Sequence, residues 1–199
     1  MDAETFFSTV GTITSVLAGA TQTATIYSNK TSGTAFYLPI NFLRVSHMCQ
    51  ISWLVYGLML QSLSLTIVNV LTVILTFANL NLYQSISEKS SQVLIKYLIL
   101  LSSFSLLMYL LHTVENIAML AGFLSVFTFV TTFEAMGLAI KNRQKAYIDF
   151  KITSVCLFNS IIWGLAGLAM SDNTVIYSNV FSASVCSLSL IIYSVLTFT

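Results

Sequence analysis

The chain has 199 residues, of which 56% are hydrophobic and only 8% charged, and its formal net charge is +1 at pH 7. Soluble domains carry about 25% charged residues, so this composition excludes a protein whose main solvent is water. The near-neutral net charge lacks the excess of basic residues that is typical of proteins that bind nucleic acid.

Seven apolar runs follow one another along the chain, each close to the roughly 20 residues that a membrane-spanning helix needs. In order they cover about 4–27, 35–59, 63–84, 93–111, 117–140, 147–170 and 174–197. The joints between them are short and polar. The pattern therefore predicts an all-α integral membrane protein with seven transmembrane helices in a single membrane domain, residues 1–199.

In the predicted arrangement, the basic and the acidic residues of the joints lie mainly on opposite sides of the membrane. Cytoplasmic loops are enriched in Lys and Arg, so we predict an outside amino terminus and a cytoplasmic carboxyl terminus, in the plasma membrane or an endomembrane. Seven of the eight basic residues fall on the predicted cytoplasmic side: Lys30, Lys89, Lys96, Lys141, Arg143, Lys145 and Lys151.

An internal duplication relates the two halves of the chain at one constant offset. The run Trp53–Leu58, followed by Asn69, recurs without a gap as Trp163–Leu168, followed by Asn179. A Trp, a Gly and an Asn shared in one register are harder to obtain by chance than shared Leu and Val, and such repeats decide the fold.

The duplication divides the predicted helices into three groups. Residues 1–84 form a first three-helix repeat, 85–116 contain a linker helix, and 117–199 form a second repeat. Because one helix separates two triplets, both repeats have the same orientation, related by an axis along the membrane normal. We call this a 3+1+3 arrangement.

Each repeat places one indole and one carboxamide near the middle of the membrane. Trp53, Asn69, Trp163 and Asn179 all lie roughly 10–13 Å from the outer surface at 1.5 Å per helical residue. Flat indole faces can stack on a sugar ring, and Asn offers donors and acceptors for hydroxyl groups. Taken alone, these residues are also compatible with structural Trp packing and interhelix Asn hydrogen bonds.

At these residues the chain resembles the SWEET, or MtN3/saliva, family of sugar transporters, and it does so over nearly its whole length. The resemblance implies facilitative uniport of a mono- or disaccharide by alternating access, with the sugar and the lipid bilayer as partners, and it leaves a homo-oligomer open. The motifs that carry it are Phe36–Pro39, Trp53–Leu58, Thr66–Asn69, Leu138–Lys141, Trp163 and Asn179.

The resemblance also implies a substrate site and two gates. The paired Trp and Asn residues would hold the sugar, and Tyr56 with Asp172 would close the outer side. The inner gate, where the family carries four prolines, falls at Gly19, Pro39, Thr132 and Asp149, so one proline is retained.

Two other classes of function stay open on the sequence. One is a seven-helix carrier for another small solute such as an amino acid, although a charged cargo would need a fixed charge that the predicted site lacks. The other is a membrane receptor or scaffold that transports nothing. No Ser/His/Asp set, HExxH motif, phosphate loop or metal-ligand spacing is present, so we expect neither an enzyme nor a cofactor or metal site.

Overall fold

The computed structural model describes residues 2–32, 40–86 and 90–198, and within these ranges the chain is helical with no strand. The seven-helix, multi-pass prediction is confirmed, with the fifth membrane segment built from two helices. The helices are α1 (Ala3–Ser32), α2 (Ile40–Met59), α3 (Leu63–Ile86), α4 (Ser90–Leu111), α5 (Val114–Thr128), α6 (Val130–Asn142), α7 (Phe150–Met170) and α8 (Asn173–Phe198).

Four of these segments are individually long and apolar enough to cross a membrane within the described part of the chain. They are Leu63–Tyr83, Val114–Asn142, Phe150–Met170 and Asn173–Phe198. A shorter apolar helix covers Tyr97–Leu111.

The fifth segment differs from the single helix predicted over 117–140. It begins at Val114, where Thr113 is the N-cap, and it is interrupted at Phe129, whose N–H bonds to the carbonyl of Val126 three residues back. The Thr128 hydroxyl also donates to the Ser125 carbonyl, at 2.6 Å. Around the interruption the sequence is a run of Val, Phe and Thr, and β-branched and aromatic residues lose side-chain freedom in a helix. These residues therefore favour a break that the hydropathy pattern does not reveal.

The two helical hairpins, α2–α3 and α7–α8, turn in the same way. Gln61 and Ser171 both adopt left-handed backbone angles, with φ of 54° and 55°. In each hairpin the following N–H bonds back to a glycine carbonyl, at 3.0 Å for Gly57 and 2.9 Å for Gly167. This is the usual way in which a left-handed residue ends a helix. The predicted duplication is thus present in the backbone of both turns.

The same two glycines bring the helices of each hairpin close together. A Cβ atom on Gly57 would lie 3.0 Å from the backbone nitrogen of Thr66, and one on Gly167 would lie 3.0 Å from that of Ile176. Both distances are shorter than ordinary carbon–nitrogen contacts, so each crossing requires glycine.

Among the described residues, the most extensive contacts between the repeats are those of two pairs of helices. α1 packs on α7, and α2 packs on α5, while α4 lies beside α2, α3 and α5. We name the two ends of the bundle after one residue each. The Asp172 end contains the hairpin turns at Gln61 and Ser171, and the Asp149 end contains the connection from α6 to α7.

Among the described residues, the buried apolar side chains form three clusters. The first, the Asp172-end cluster, draws on both repeats and consists of Tyr56, Leu65, Val68, Ile117, Ala118, Trp163, Ala166 and Val175. The second, at the Asp149 end, belongs to the first repeat and α4, and consists of Ile26, Leu43, Leu80 and Tyr97. The third, also toward the Asp149 end, belongs to the second repeat alone and consists of Met136, Ala139, Ile148 and Val185.

Candidate functional site

A cavity of about 340 Å³ lies between the two repeats, and we call it the central cavity. All four residues of the predicted substrate site line it, namely Trp53, Asn69, Trp163 and Asn179. Its roof is the Asp172-end cluster, to which the lining residues Leu65, Trp163 and Val175 also belong. From there the cavity extends toward the Asp149 end as far as Gln22, Thr132 and Ile152.

The indole of Trp163 is buried and held by α1. Its Nε1–H lies 3.0 Å from the hydroxyl of Ser15 and 3.1 Å from the carbonyl of Gly11. A Cβ atom on Gly11 would lie 2.8 Å from the ring, so the absence of a side chain there makes room for the indole. Trp163 belongs to the second repeat, while both of its partners belong to the first.

Trp53 is held in the equivalent way by α5. Its Nε1–H donates to the hydroxyl of Ser125 at 3.1 Å, and its ring meets that of Tyr56 edge to face at 5.6 Å between centroids. Ser15 and Ser125 are separated by the same offset as Trp53 and Trp163. The duplication therefore includes the first helix of each repeat, and each indole is oriented by a serine of the other repeat.

The two asparagines are also fixed alike. Asn69 donates from Nδ2 to the carbonyl of Leu65 at 2.7 Å, and Asn179 donates to that of Val175 at 2.8 Å. Among the described residues, neither carboxamide oxygen accepts a hydrogen bond. Each Asn therefore keeps an acceptor and a second N–H for a molecule in the cavity.

The structure adds a third carboxamide that the sequence argument missed. Asn159 lines the central cavity, and its Oδ1 accepts from Thr14 at 2.6 Å and from Ser15 at 2.9 Å. These bonds fix which way the amide points, so that its N–H groups remain for a ligand. Its counterpart in the first repeat, at the offset of the duplication, is Cys49. A search for residues shared by both repeats could not find it.

Two further polar pairs in the cavity wall follow the duplication. Thr72 donates to Gln50 at 2.9 Å, and Ser160 and Ser182 lie 2.6 Å apart. Each pair joins the second helix of a repeat to its third, one helical turn from the asparagine. The wall thus presents matched hydrogen-bonding groups on both sides.

Both residues predicted for the outer gate meet at the Asp172 end. The Tyr56 hydroxyl donates to Oδ2 of Asp172 at 2.8 Å, which joins α2 of the first repeat to the start of α8. The other carboxylate oxygen of Asp172 accepts from the backbone N–H groups of Thr174 and Val175. The carboxylate is therefore fixed in place as a helix cap.

The residues predicted for the inner gate are spread over the Asp149 half of the bundle. Gly19 and Thr132 line the central cavity, and a Cβ atom on Gly19 would lie 2.8 Å from Leu75. Asp149 is the N-cap of α7, where its Oδ1 accepts from the Ile152 N–H at 3.0 Å. Pro39 and the rest of the Phe36–Pro39 motif lie outside the described residues.

One family model matches part of the chain. Residues 5–91, which include most of the first repeat, match the family model MtN3_slv, described as a sugar efflux transporter for intercellular exchange. The resemblance to the SWEET family is confirmed. The matched family is one of transporters and not of enzymes. No curated protein sequence matches the chain.

A solved structure shows that the whole chain has the SWEET fold. "The 3.7 A resolution structure of a eukaryotic SWEET transporter" matches with a TM-score of 0.74, covering 98% of this chain and 100% of that one. The two sequences are 18% identical. The 3+1+3 arrangement of a SWEET transporter is therefore present here.

The central cavity is lined by uncharged side chains. No Asp, Glu, Lys, Arg or His is among its described lining residues. The wall consists of Ser, Thr, Asn, Gln and Cys side chains between two indoles, two phenylalanine rings and a few aliphatic groups. Such a wall can hydrogen-bond a neutral polar molecule, but it offers no partner for a full charge.

Proposed function

We propose that the protein carries a neutral sugar, a mono- or disaccharide, across a membrane by facilitative uniport. The observation that supports this most directly is the uncharged central cavity, with one indole and one carboxamide from each repeat in its wall. Sugars combine apolar C–H faces with many hydroxyl groups, so they suit a site that combines aromatic faces with neutral donors and acceptors.

The hydrogen bonds already formed in the cavity favour this ligand class. Trp53 and Trp163 have their N–H groups engaged by serines, so their remaining contribution to a ligand is the ring face. Asn69, Asn179 and Asn159 each retain N–H groups after their protein contacts are counted. Aromatic faces for stacking and amides for hydroxyls are therefore presented separately.

Alternating access requires one end of the bundle to close while the other opens. The Asp172-end cluster and the Tyr56–Asp172 hydrogen bond join the repeats at one end. At the other end the two described clusters each stay within one repeat or its linker. This is the pattern expected of a form that is closed at the Asp172 end. By the distribution of Lys and Arg, we take the Asp149 end to be cytoplasmic.

The competing functions are weakened by the same cavity. An amino acid or small carboxylate carries full charges, and the described wall of the central cavity has no charged side chain to pair with them. A proton-coupled carrier needs a titratable group in the pathway, and the one buried histidine among the described residues, His47, bonds to Thr76 at 2.8 Å without lining the cavity. A receptor or scaffold would give no uptake at all.

The test is uptake of labelled sugars and amino acids into liposomes that contain the purified protein. We expect sugars to equilibrate without accumulating, with or without a pH gradient. Asn69→Ala or Asn179→Ala should reduce uptake several-fold, since one hydrogen bond contributes about 0.5–1.5 kcal/mol. Trp53→Ala and Trp163→Ala should reduce it further, because stacking and packing are both lost.

Asn81→Ala is the matched control for the asparagine variants. Asn81 lies on the same helix as Asn69 and makes the same kind of bond, to the carbonyl four residues back at 3.0 Å, but it is exposed. Its replacement should leave sugar uptake unchanged. Normal uptake by all four site variants would move the site elsewhere, and uptake of amino acids instead of sugars would favour the alternative carrier.

A further inference from the structure

A second cavity, of about 620 Å³, lies at the Asp149 end, and we call it the basic crevice. It is formed by α1, the connection from α6 to α7, the first turn of α7 and the last part of α8, and it shares no described lining residue with the central cavity. Its described lining residues are Thr21, Ala24, Thr25, Ser28, Lys145, Ala146, Ile148, Asp149, Phe150, Lys151 and Tyr193.

Two lysines give the crevice its charge. The Lys145 ammonium is held at the wall, 3.3 Å from the Thr197 hydroxyl and 5.4 Å from the centre of the Tyr193 ring. Lys151 is exposed and makes no hydrogen bond or ion pair with any residue that the structure describes. Within the described part of the chain, neither ammonium is neutralised by a carboxylate contact.

The one carboxylate among the described lining residues is already engaged. Asp149 accepts from the backbone N–H of Ile152 on one oxygen and from the Thr25 hydroxyl, at 3.3 Å, on the other. The balance of one carboxylate against two ammonium groups leaves the crevice with a net positive charge. Thr21, Thr25 and Ser28 of α1 line its opposite wall, and the Thr21 and Thr25 hydroxyls already donate to the Leu17 carbonyl and to Asp149.

The crevice combines this charge with an exposed aromatic surface. Phe150 is about half exposed, at 49%, and its ring lies 5.2 Å from that of Tyr193. Both residues lie near helix ends, at the same end of the bundle as the exposed Lys141 and Arg143. Aromatic rings and basic side chains at this level of a membrane protein meet the lipid headgroups.

We infer that the basic crevice binds the phosphate-bearing headgroup of an anionic phospholipid. Lys145 and Lys151 would contact the phosphate oxygens, α1 would form the opposite wall of the headgroup site, and the acyl chains would lie along Phe150. Such basic pockets between membrane helices are a recurrent way to hold anionic headgroups. Since Lys145 and Lys151 come from the second repeat and the opposite wall, on α1, from the first, the lipid would lie between the two repeats.

Thermal unfolding of the purified protein in detergent tests the inference without relying on transport. Dioctanoyl phosphatidylinositol 4-phosphate should raise the Tm by roughly 2–4 °C, since a ligand that binds only the folded state stabilises it. Dioctanoyl phosphatidylcholine, which has the same chains and no net charge, should not. An equal shift with both lipids would overturn the inference, because acyl chains alone would explain it.

Two single-lysine variants locate the site. Lys151→Ala should abolish the shift while leaving the Tm without lipid unchanged, because the residue is exposed. Lys96→Ala removes the same charge from α4, a helix that contributes no described residue to the crevice, and should keep the shift. Loss of the shift in both variants, or in neither, would reject the crevice as the site.

Inorganic phosphate separates a lipid headgroup from a free anion. We expect phosphate at the same concentration to give no shift, because it lacks the contact with Phe150. A phosphate shift as large as that of the lipid, and lost in Lys151→Ala, would overturn the lipid assignment in favour of a soluble phosphate ligand.

Discussion

At the Asp172 end a single buried cluster joins the two repeats, whereas at the Asp149 end the described clusters each stay on one side. The polar contact between the repeats is also shorter at the Asp172 end than at the Asp149 end. The Tyr56–Asp172 hydrogen bond is short at 2.8 Å, while the Thr25–Asp149 contact is 3.3 Å long, and both carboxylates cap a helix. The repeats are therefore held together mainly at one end.

Under the proposed alternating access, this difference between the two ends predicts which repeat changes shape more. Close backbone packing at Gly57 and Gly167 makes each hairpin rigid near the Asp172 end. The interruption at Phe129 lies between the Asp172 end and the Asp149 end. It separates α5 from α6 in the second repeat. Rigid hairpins and an interrupted helix suit a rocking motion in which the second repeat changes shape more than the first.

The largest effect is expected from adding a methyl group to the rigid end. Gly57→Ala or Gly167→Ala places a Cβ atom 3.0 Å from a backbone nitrogen of the facing helix. Overpacking of this kind costs about 1–3 kcal/mol, so the Tm of the purified protein should fall clearly.

Gly137→Ala is the control, because a Cβ atom at this position in α6 meets nothing within 4 Å. The Tm of this variant should be unchanged or slightly higher, since Ala favours a helix over Gly. Equal losses of stability in α6 and in the hairpins would show that the two ends do not differ in packing.

An intermediate effect is expected from loosening the closed end. Tyr56→Phe keeps the ring but removes the hydrogen bond to Asp172. Hydrogen bonds to charged groups contribute about 1.5–3 kcal/mol, so the population open at the Asp172 end should rise about tenfold or more. The measurement is the rate at which an impermeant thiol reagent, added from the Asp172 side, modifies Cys49 in a variant that lacks Cys156 and Cys186.

Tyr177→Phe is the matched control for this labelling experiment. Tyr177 is in the first part of α8, at the same end, but is 70% exposed, and its replacement should leave the rate unchanged. If Tyr56→Phe labels no faster than its parent, the hydrogen bond does not hold that end closed.

The smallest effect is expected at the other end. Thr25→Val removes the long contact with Asp149, and sugar uptake should change less than twofold, because the bond lies at the weak limit of hydrogen-bond geometry. Thr21→Val, which removes a hydroxyl bonded within its own helix, is the comparison. A loss of uptake in Thr25→Val alone would show that the Asp149 end is held more firmly than its contacts indicate.

The sequence located those parts of the fold and cavity that the two repeats share. Trp53 with Trp163 and Asn69 with Asn179 stood out because each occurs twice in one register, and the structure brings all four to one cavity. Asn159 could not be found in this way, because the equivalent position of the first repeat holds a cysteine. It was the contact of its amide with hydroxyl groups on a distant helix, α1, that revealed it.

Two other features depended on information that hydropathy does not carry. The run around Phe129 is uniformly apolar, so it predicts a membrane segment equally well with or without a break. The serines that orient the indoles, Ser15 and Ser125, lie in the first helix of each repeat, upstream of the register that the sequence comparison established. Serine is also common in apolar helices of this chain, so its recurrence alone carried little signal.

The exchange of hydrogen bonds between the repeats has a consequence for biosynthesis. Trp53 enters the membrane with the first hairpin, but its partner Ser125 follows 72 residues later. At about 5–20 residues per second, the ribosome needs roughly 4–14 s to make that interval. Trp163 meets the reverse situation, since Ser15 has waited in the membrane for 148 residues. The indoles can take up their final orientation only after the second repeat has been inserted, so a nascent chain stalled before α5 holds half of the central-cavity wall and cannot complete it.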